Sequence, residues 1–135
     1  MNEIRRKNKE RLDKLRELDK HIITWEEIND YVDYISDIIL KKGYSGIYGI
    51  PRGGIILAAL ISYKTNLPMF LSPFKNCIVI DDDIGTGITL NAFNDKYDTS
   101  VMFCNKDNNT KCDYIYKRYD DSKYYVFPWN VEEKS

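Results

Sequence analysis

Three consecutive carboxylates, Asp81-Asp82-Asp83, follow the apolar run Cys77-Ile78-Val79-Ile80 and precede Ile84-Gly85-Thr86-Gly87-Ile88-Thr89. Glycines in such a loop let the backbone turn with its N–H groups inward. Threonines add hydroxyl donors, and the start of a following helix adds partial positive charge, so the loop can cradle one phosphate monoester. The acids cannot favour that same anion. They suit a neutral, hydroxyl-rich group or a Mg²⁺ ion, and a ribose diol beside a 5′-phosphate meets both demands. Either half alone is commonplace, because acidic pairs cap turns and Gly-Thr-Gly opens helices. Their order is what points to a phosphorylated sugar. The loop has neither the Gly-Lys-Ser/Thr of a Walker motif nor the Gly-x-Gly-x-x-Gly of a dinucleotide fingerprint.

A second candidate lies upstream, where Ile47-Tyr48-Gly49-Ile50 runs into Pro51-Arg52-Gly53-Gly54. Two glycines at a helix start offer inward N–H groups, and Arg52 adds a fixed cation whose forked donors suit phosphate oxygens. Standing alone, the same four residues would also make an ordinary chain-reversing turn.

Both loops need strands to hold them. Ile47–Ile50, Cys77–Ile80, Val101–Cys104 and Tyr124–Phe127 are short runs rich in β-branched or aromatic residues and read as buried strands. Ile55–Lys64 and Ile88–Tyr97 are long enough to be helical crossovers, and the alternation predicts an α/β fold with a mainly parallel sheet flanked by helices. In such a sheet the ligand crevice lies beyond the carboxyl ends of the strands, where both loops sit. Thr24 with Glu27 forms a capping box. Apolar residues from Trp25 to Ile39 recur at helical spacing, and Lys41-Lys42-Gly43 stops the helix. Residues 1–20 hold thirteen charges, eight of them basic, with a thin apolar stripe at Ile4, Leu12, Leu15 and Leu18. They predict a charged helical extension laid against a single domain spanning residues 1–135.

The whole chain excludes several classes of function. Its 135 residues are 43% apolar, enough for one core, and 20 basic against 21 acidic residues leave no global field for nucleic acid or an anionic membrane. No run approaches the roughly 20 apolar residues of a membrane span. Cys77, Cys104 and Cys112 are odd in number and irregularly spaced, as expected of reduced thiols in a cytoplasmic protein without a zinc site.

The stretch Val79 to Leu90 resembles the PRPP-binding signature of type I phosphoribosyltransferases: apolar residues, two acids, and a short loop ending in Thr-Gly and Ser or Thr. The Pro51-Arg52-Gly53-Gly54 loop resembles the pyrophosphate loop of bacterial and viral 6-oxopurine (xanthine, guanine, hypoxanthine) enzymes of that family, in which the peptide before the Arg can be cis. The resemblance runs from about Thr24 to Trp129. It implies the type I phosphoribosyltransferase fold and the reaction of a nucleobase with Mg²⁺-PRPP to give a nucleoside 5′-monophosphate and pyrophosphate, most naturally in purine salvage. Asp81, Asp82 and Asp83 would be the catalytic acids, the first two also meeting Mg²⁺. Gly85, Thr86, Gly87, Ile88 and Thr89 would hold the 5′-phosphate, and Arg52, Gly53 and Gly54 the pyrophosphate. Tyr124-Tyr125-Val126-Phe127-Pro128-Trp129 resembles the segment in which one aromatic ring stacks on the base and the next backbone reads its edge. Tyr124 would stack, Tyr125 would read, and Lys106, or Asn105 in the adjacent register, would donate to a 6-oxo group.

Two departures stand against that pattern. The 6-oxopurine enzymes carry an Asp near the base N7 where this chain has Gly85, whereas adenine and uracil enzymes have a small residue there. Relatives also have a long lid before the PRPP strand, and here only residues 67–76 separate the second helix from Cys77. A non-catalytic sensor or sequestering protein for PRPP or a nucleotide is therefore the alternative expectation, and either reading allows a homo-oligomer.

Overall fold

The computed structural model describes residues 2–16, 19–120 and 123–130, without the side chains of 11–16, 19 and 123. Leu18, part of the expected N-terminal stripe, lies outside the described residues, and so do the side chains of Leu12 and Leu15.

In chain order the elements are α1 (Glu3–Arg16), β1 (Asp19–Ile22), α2 (Trp25–Lys42), β2 (Gly46–Gly49), α3 (Gly53–Thr65), β3 (Met69–Phe70), β4 (Cys77–Ile84), α4 (Ile88–Asn91), β5 (Asp98–Asn105), β6 (Tyr114–Tyr119) and β7 (Lys123–Val126). Five strands form one sheet in the order β3-β2-β4-β5-β6, and every pair in it is parallel. From β2 the chain steps outward to β3 and then returns to β4 on the other side, so the winding reverses between β2 and β4. That junction is the topological switch point, where a parallel sheet opens a crevice.

The core explains why the central strands are apolar without alternation. Ile78 and Ile80 pack with α2 and α3 through Ile28, Tyr31, Ile35, Leu57 and Ile61. Their neighbours Cys77 and Val79 pack the other face with Leu90 and Val101. A strand buried on both faces needs apolar residues at every position. The capping box of α2 is present, with Glu27 N donating to Thr24 Oγ1 at 3.1 Å and Thr24 N to Glu27 Oε2 at 2.8 Å. Gly43 ends that helix in the left-handed region at φ 77°. Inside, the Tyr31 hydroxyl meets Ser100 Oγ at 2.7 Å, tying α2 to the middle of β5.

Several sequence expectations change. β4 does not stop at Ile80 but continues through the three acids to Ile84, because Asp81 and Asp83 find backbone partners opposite Val101 and Phe103. The expected crossover helix Ile88–Tyr97 shrinks to the four residues of α4, followed by turns. Residues 19 and 20 belong to β1 rather than to a helical extension, and β1 pairs in parallel with β7 in a separate two-stranded sheet. The aromatic run near the C-terminus therefore lies outside the main sheet, whose edge is β6. Residues 2–10 are all exposed, so the part of α1 among them is not laid against the domain. Among the described residues no helix is long and apolar enough to cross a membrane.

Candidate functional site

The carboxyl ends of β2 and β4 frame a cleft of about 490 Å³ lined by Ile50, Pro51, Arg52, Gly53, Asp81, Asp82, Thr89, Trp129 and Asn130. Ile50 N donates to Ile80 O at 2.8 Å, locking the two strand ends together before their loops diverge. The Pro51-Arg52 peptide is cis, and Arg52 is exposed at the start of α3. Gly53 and Gly54 have different tasks. A Cβ on Gly53 would overlap the Asp82 carboxylate, so a glycine there lets Asp82 reach across to the loop. A Cβ on Gly54 would strike Ile80 O, so that glycine allows α3 to sit directly on β4.

Beside this cleft lies a smaller one of about 120 Å³, formed by Asp81, Asp83, Ile84, Gly85, Thr86, Gly87, Thr89 and Leu90. Gly87 turns the chain at φ 91°, against Thr110. Ile88 N donates to Thr86 Oγ1 at 3.3 Å, and Asn108 Nδ2 donates to Gly85 O at 2.8 Å, fastening the loop to the end of β5. With α4 so short, an anion in this cleft would meet the loop's own N–H and hydroxyl groups rather than a helix dipole.

The acids are electrostatically crowded. Burial and the adjacent Asp82 charge push the Asp81 carboxyl up to about 8. Burial raises Asp83 to about 7, against the opposing effect of the Tyr119 hydroxyl, which donates to its two oxygens at 3.3 and 3.2 Å. A site holding this much suppressed negative charge favours a cation or a hydroxyl-rich group beside the acids.

No protein-family profile and no curated protein sequence matches the chain. Among solved structures it is similar to a purine phosphoribosyltransferase from Pyrococcus horikoshii Ot3, with a TM-score of 0.71 and 20% sequence identity over 83% of this chain and 94% of that one. It is similar to the xanthine-guanine-hypoxanthine phosphoribosyltransferase of Helicobacter pylori, with a TM-score of 0.67 and 19% identity over 85% and 96% of the two chains. A hypothetical protein from Neisseria gonorrhoeae with bound ppGpp matches at a TM-score of 0.65 and 14% identity, over 87% and 94%. The chain has the type I phosphoribosyltransferase fold.

Within this phosphoribosyltransferase fold, Arg52, Gly53, Asp81, Asp82 and Thr89 share the larger cleft, and Asp83, Gly85, Thr86 and Gly87 line the smaller one, with Asp81 and Thr89 common to both. Ile88 is 76% exposed and lines neither. Lys106 is exposed just beyond β5, and its backbone N donates to Tyr119 O at 2.7 Å. Tyr125 packs against Tyr119, Phe103 and His21 at ring distances of 4.9, 5.0 and 5.1 Å. Tyr124 is half-buried on β7. None of Lys106, Tyr124 and Tyr125 lines either cleft. Trp129 and Asn130 do line the larger one, and sequence reasoning assigned them nothing. Their signal was present in the Pro128-Trp129-Asn130 turn, but a Trp after a strand is more often core packing. In the segment between α3 and β4, Phe70 lies on the edge strand with Phe74 packed on it at 5.5 Å, and Ile47 N donates to Pro68 O at 2.9 Å. Met69 and Phe70 thus cover the β2 edge.

Proposed function

We propose that this protein is a nucleobase phosphoribosyltransferase that joins a purine base to PRPP, releasing pyrophosphate. One observation carries this reading: the Arg52-Gly53 loop, the Asp81-Asp82 pair and Thr89 line one cleft at the switch point of a phosphoribosyltransferase fold. Asp81 and Asp82 would hold the ribose diol and stabilise positive charge growing at C1. Gly85 to Thr89 would fix the 5′-phosphate, and Arg52 would receive the charge that develops on the departing pyrophosphate. Mg²⁺ fits the donor set, since two neighbouring carboxylates with little cationic company leave most of an octahedral shell to ligand oxygens and water. Bound there, it would neutralise pyrophosphate charge.

The short segment 67–76, of which Met69 and Phe70 pair with β2, and the neighbour with bound ppGpp favour a second reading, a protein that binds PRPP or a guanine nucleotide without turnover. Without a closing lid, water would reach an oxocarbenium-like transition state. Single-turnover assays with PRPP, Mg²⁺ and guanine, xanthine, hypoxanthine, adenine or uracil separate the two. Pyrophosphate release with a purine supports the enzyme; tight PRPP or nucleotide binding with no product from any base rejects it in favour of the binding protein.

A further inference from the structure

Trp129 lies on the wall of the larger cleft, and its indole N–H has no explanation in the fold. Nε1 is shielded from solvent yet finds no acceptor among the described residues, whereas a buried indole donor normally has one. The ring is held in place. It stacks on Phe127 at 4.8 Å and 14°, and Trp25 abuts it edge-on at 6.2 Å. The turn carrying it is closed by Asn130 N to Phe127 O at 3.0 Å and by Phe127 N to Asn130 Oδ1 at 3.3 Å. Nε1 lies beside the Arg52-Gly53 loop, since a Cβ on Gly53 would come within 3.1 Å of it. A glycine at 53 therefore leaves no side chain between this donor and the loop.

We infer that Trp129 Nε1–H is a ligand-binding donor of this cleft, hydrogen-bonded to an oxygen of the pyrophosphate group held by the Arg52 loop. The inference rests on the reading of that loop as a pyrophosphate site. An anionic oxygen suits this donor best, because a charge-assisted bond compensates a desolvated N–H more fully than a hydroxyl does. It also assigns the C-terminal turn a role in recognising the leaving group rather than the base.

The chain has two tryptophans, so a ¹⁵N-labelled sample has two indole resonances, and Trp25→Phe, at a residue 53% exposed, assigns them. Titration with magnesium pyrophosphate should move the Trp129 indole proton downfield and saturate, while a nucleoside monophosphate should leave it in place. Trp129→Phe keeps a ring on Phe127 but removes the donor. It should weaken pyrophosphate and PRPP binding about tenfold or more with Tm and monophosphate affinity retained. If pyrophosphate binding is lost in Arg52→Ala but neither moves the indole nor weakens in Trp129→Phe, the inference is wrong and the loop reading stands. An indole that responds equally to the monophosphate also overturns it. A wild-type protein that binds neither pyrophosphate nor PRPP removes the loop reading and this inference together. Should Trp129→Phe fail to fold, the wild-type titration decides.

Discussion

Burial holds Asp83 at about 7 and Asp81 at about 8, against a usual value near 4. When an acid's native pKa exceeds its unfolded value, the stabilising proton is fully present below the unfolded pKa. That stability is lost as pH rises through the native value. Tm should therefore fall between about pH 5 and pH 8, and Asp83→Asn should flatten that fall, as calorimetry across the range can check. A wild-type Tm that stays level would contradict the crowding. The Tyr119 hydroxyl favours the charged form of Asp83, so Tyr119→Phe should move its titration upward in carboxyl-carbon NMR. Gly85 also belongs to this scale. Its φ is not positive, and an added Cβ would meet nothing within 4 Å. A glycine at this position could serve a positive φ that Asp tolerates poorly, but the structure shows neither that backbone angle nor a neighbour that a side chain would meet. Gly85→Asp should fold with unchanged Tm and, in a purine enzyme lacking its usual proton-managing acid, raise turnover on guanine or hypoxanthine about 10² to 10⁴-fold. Unchanged turnover would place residue 85 away from the base.

At the scale of elements, the site depends on how closely α3 approaches β4. Gly54 is buried under Ile80 O, and neither backbone can yield without displacing the sheet. Gly54→Ala should cost about 1–3 kcal/mol in urea unfolding, and it should weaken PRPP binding as well, because Arg52 and Asp82 move apart. Native stability in this variant would mean that the close approach is dispensable. The same element shows why the acids looked like a loop from sequence. Asp has low strand propensity and Gly85 follows soon after, so the strand was expected to end at Ile80. Pairing with β5 overrode that preference, since unpaired backbone groups at this half-buried depth are costlier than three polar side chains at a strand end. By contrast, Thr24 and Gly43 were legible as the ends of α2 because caps are local.

At the scale of the whole molecule, a ligand that bridges β2 and β4 must stabilise the fold by mass action. PRPP at a hundred times its Kd should add about 2.7 kcal/mol, read as a rise in Tm. Arg52→Ala should abolish most of that rise for PRPP while sparing a nucleoside monophosphate, which has no pyrophosphate; equal losses would move Arg52 out of the proposed pyrophosphate site. By itself, the sequence determined what depends on neighbours along the chain: the two glycine-bearing loops, the acids that follow an apolar run, the caps of α2, and the parallel α/β class. Tertiary structure alone decided the rest, because it depends on which strands become neighbours. Tyr124-Tyr125 reads as one more strand of the sheet, yet β7 pairs with β1, and the sheet edge goes to Tyr114–Tyr119, whose Lys117 and Arg118 hid it. Trp129 reads as packing, and only the turn after β7, closing beside the start of α3, brings its ring to the wall of the cleft. A sequence motif records which groups a loop can offer. Long-range strand pairing determines which of them meet.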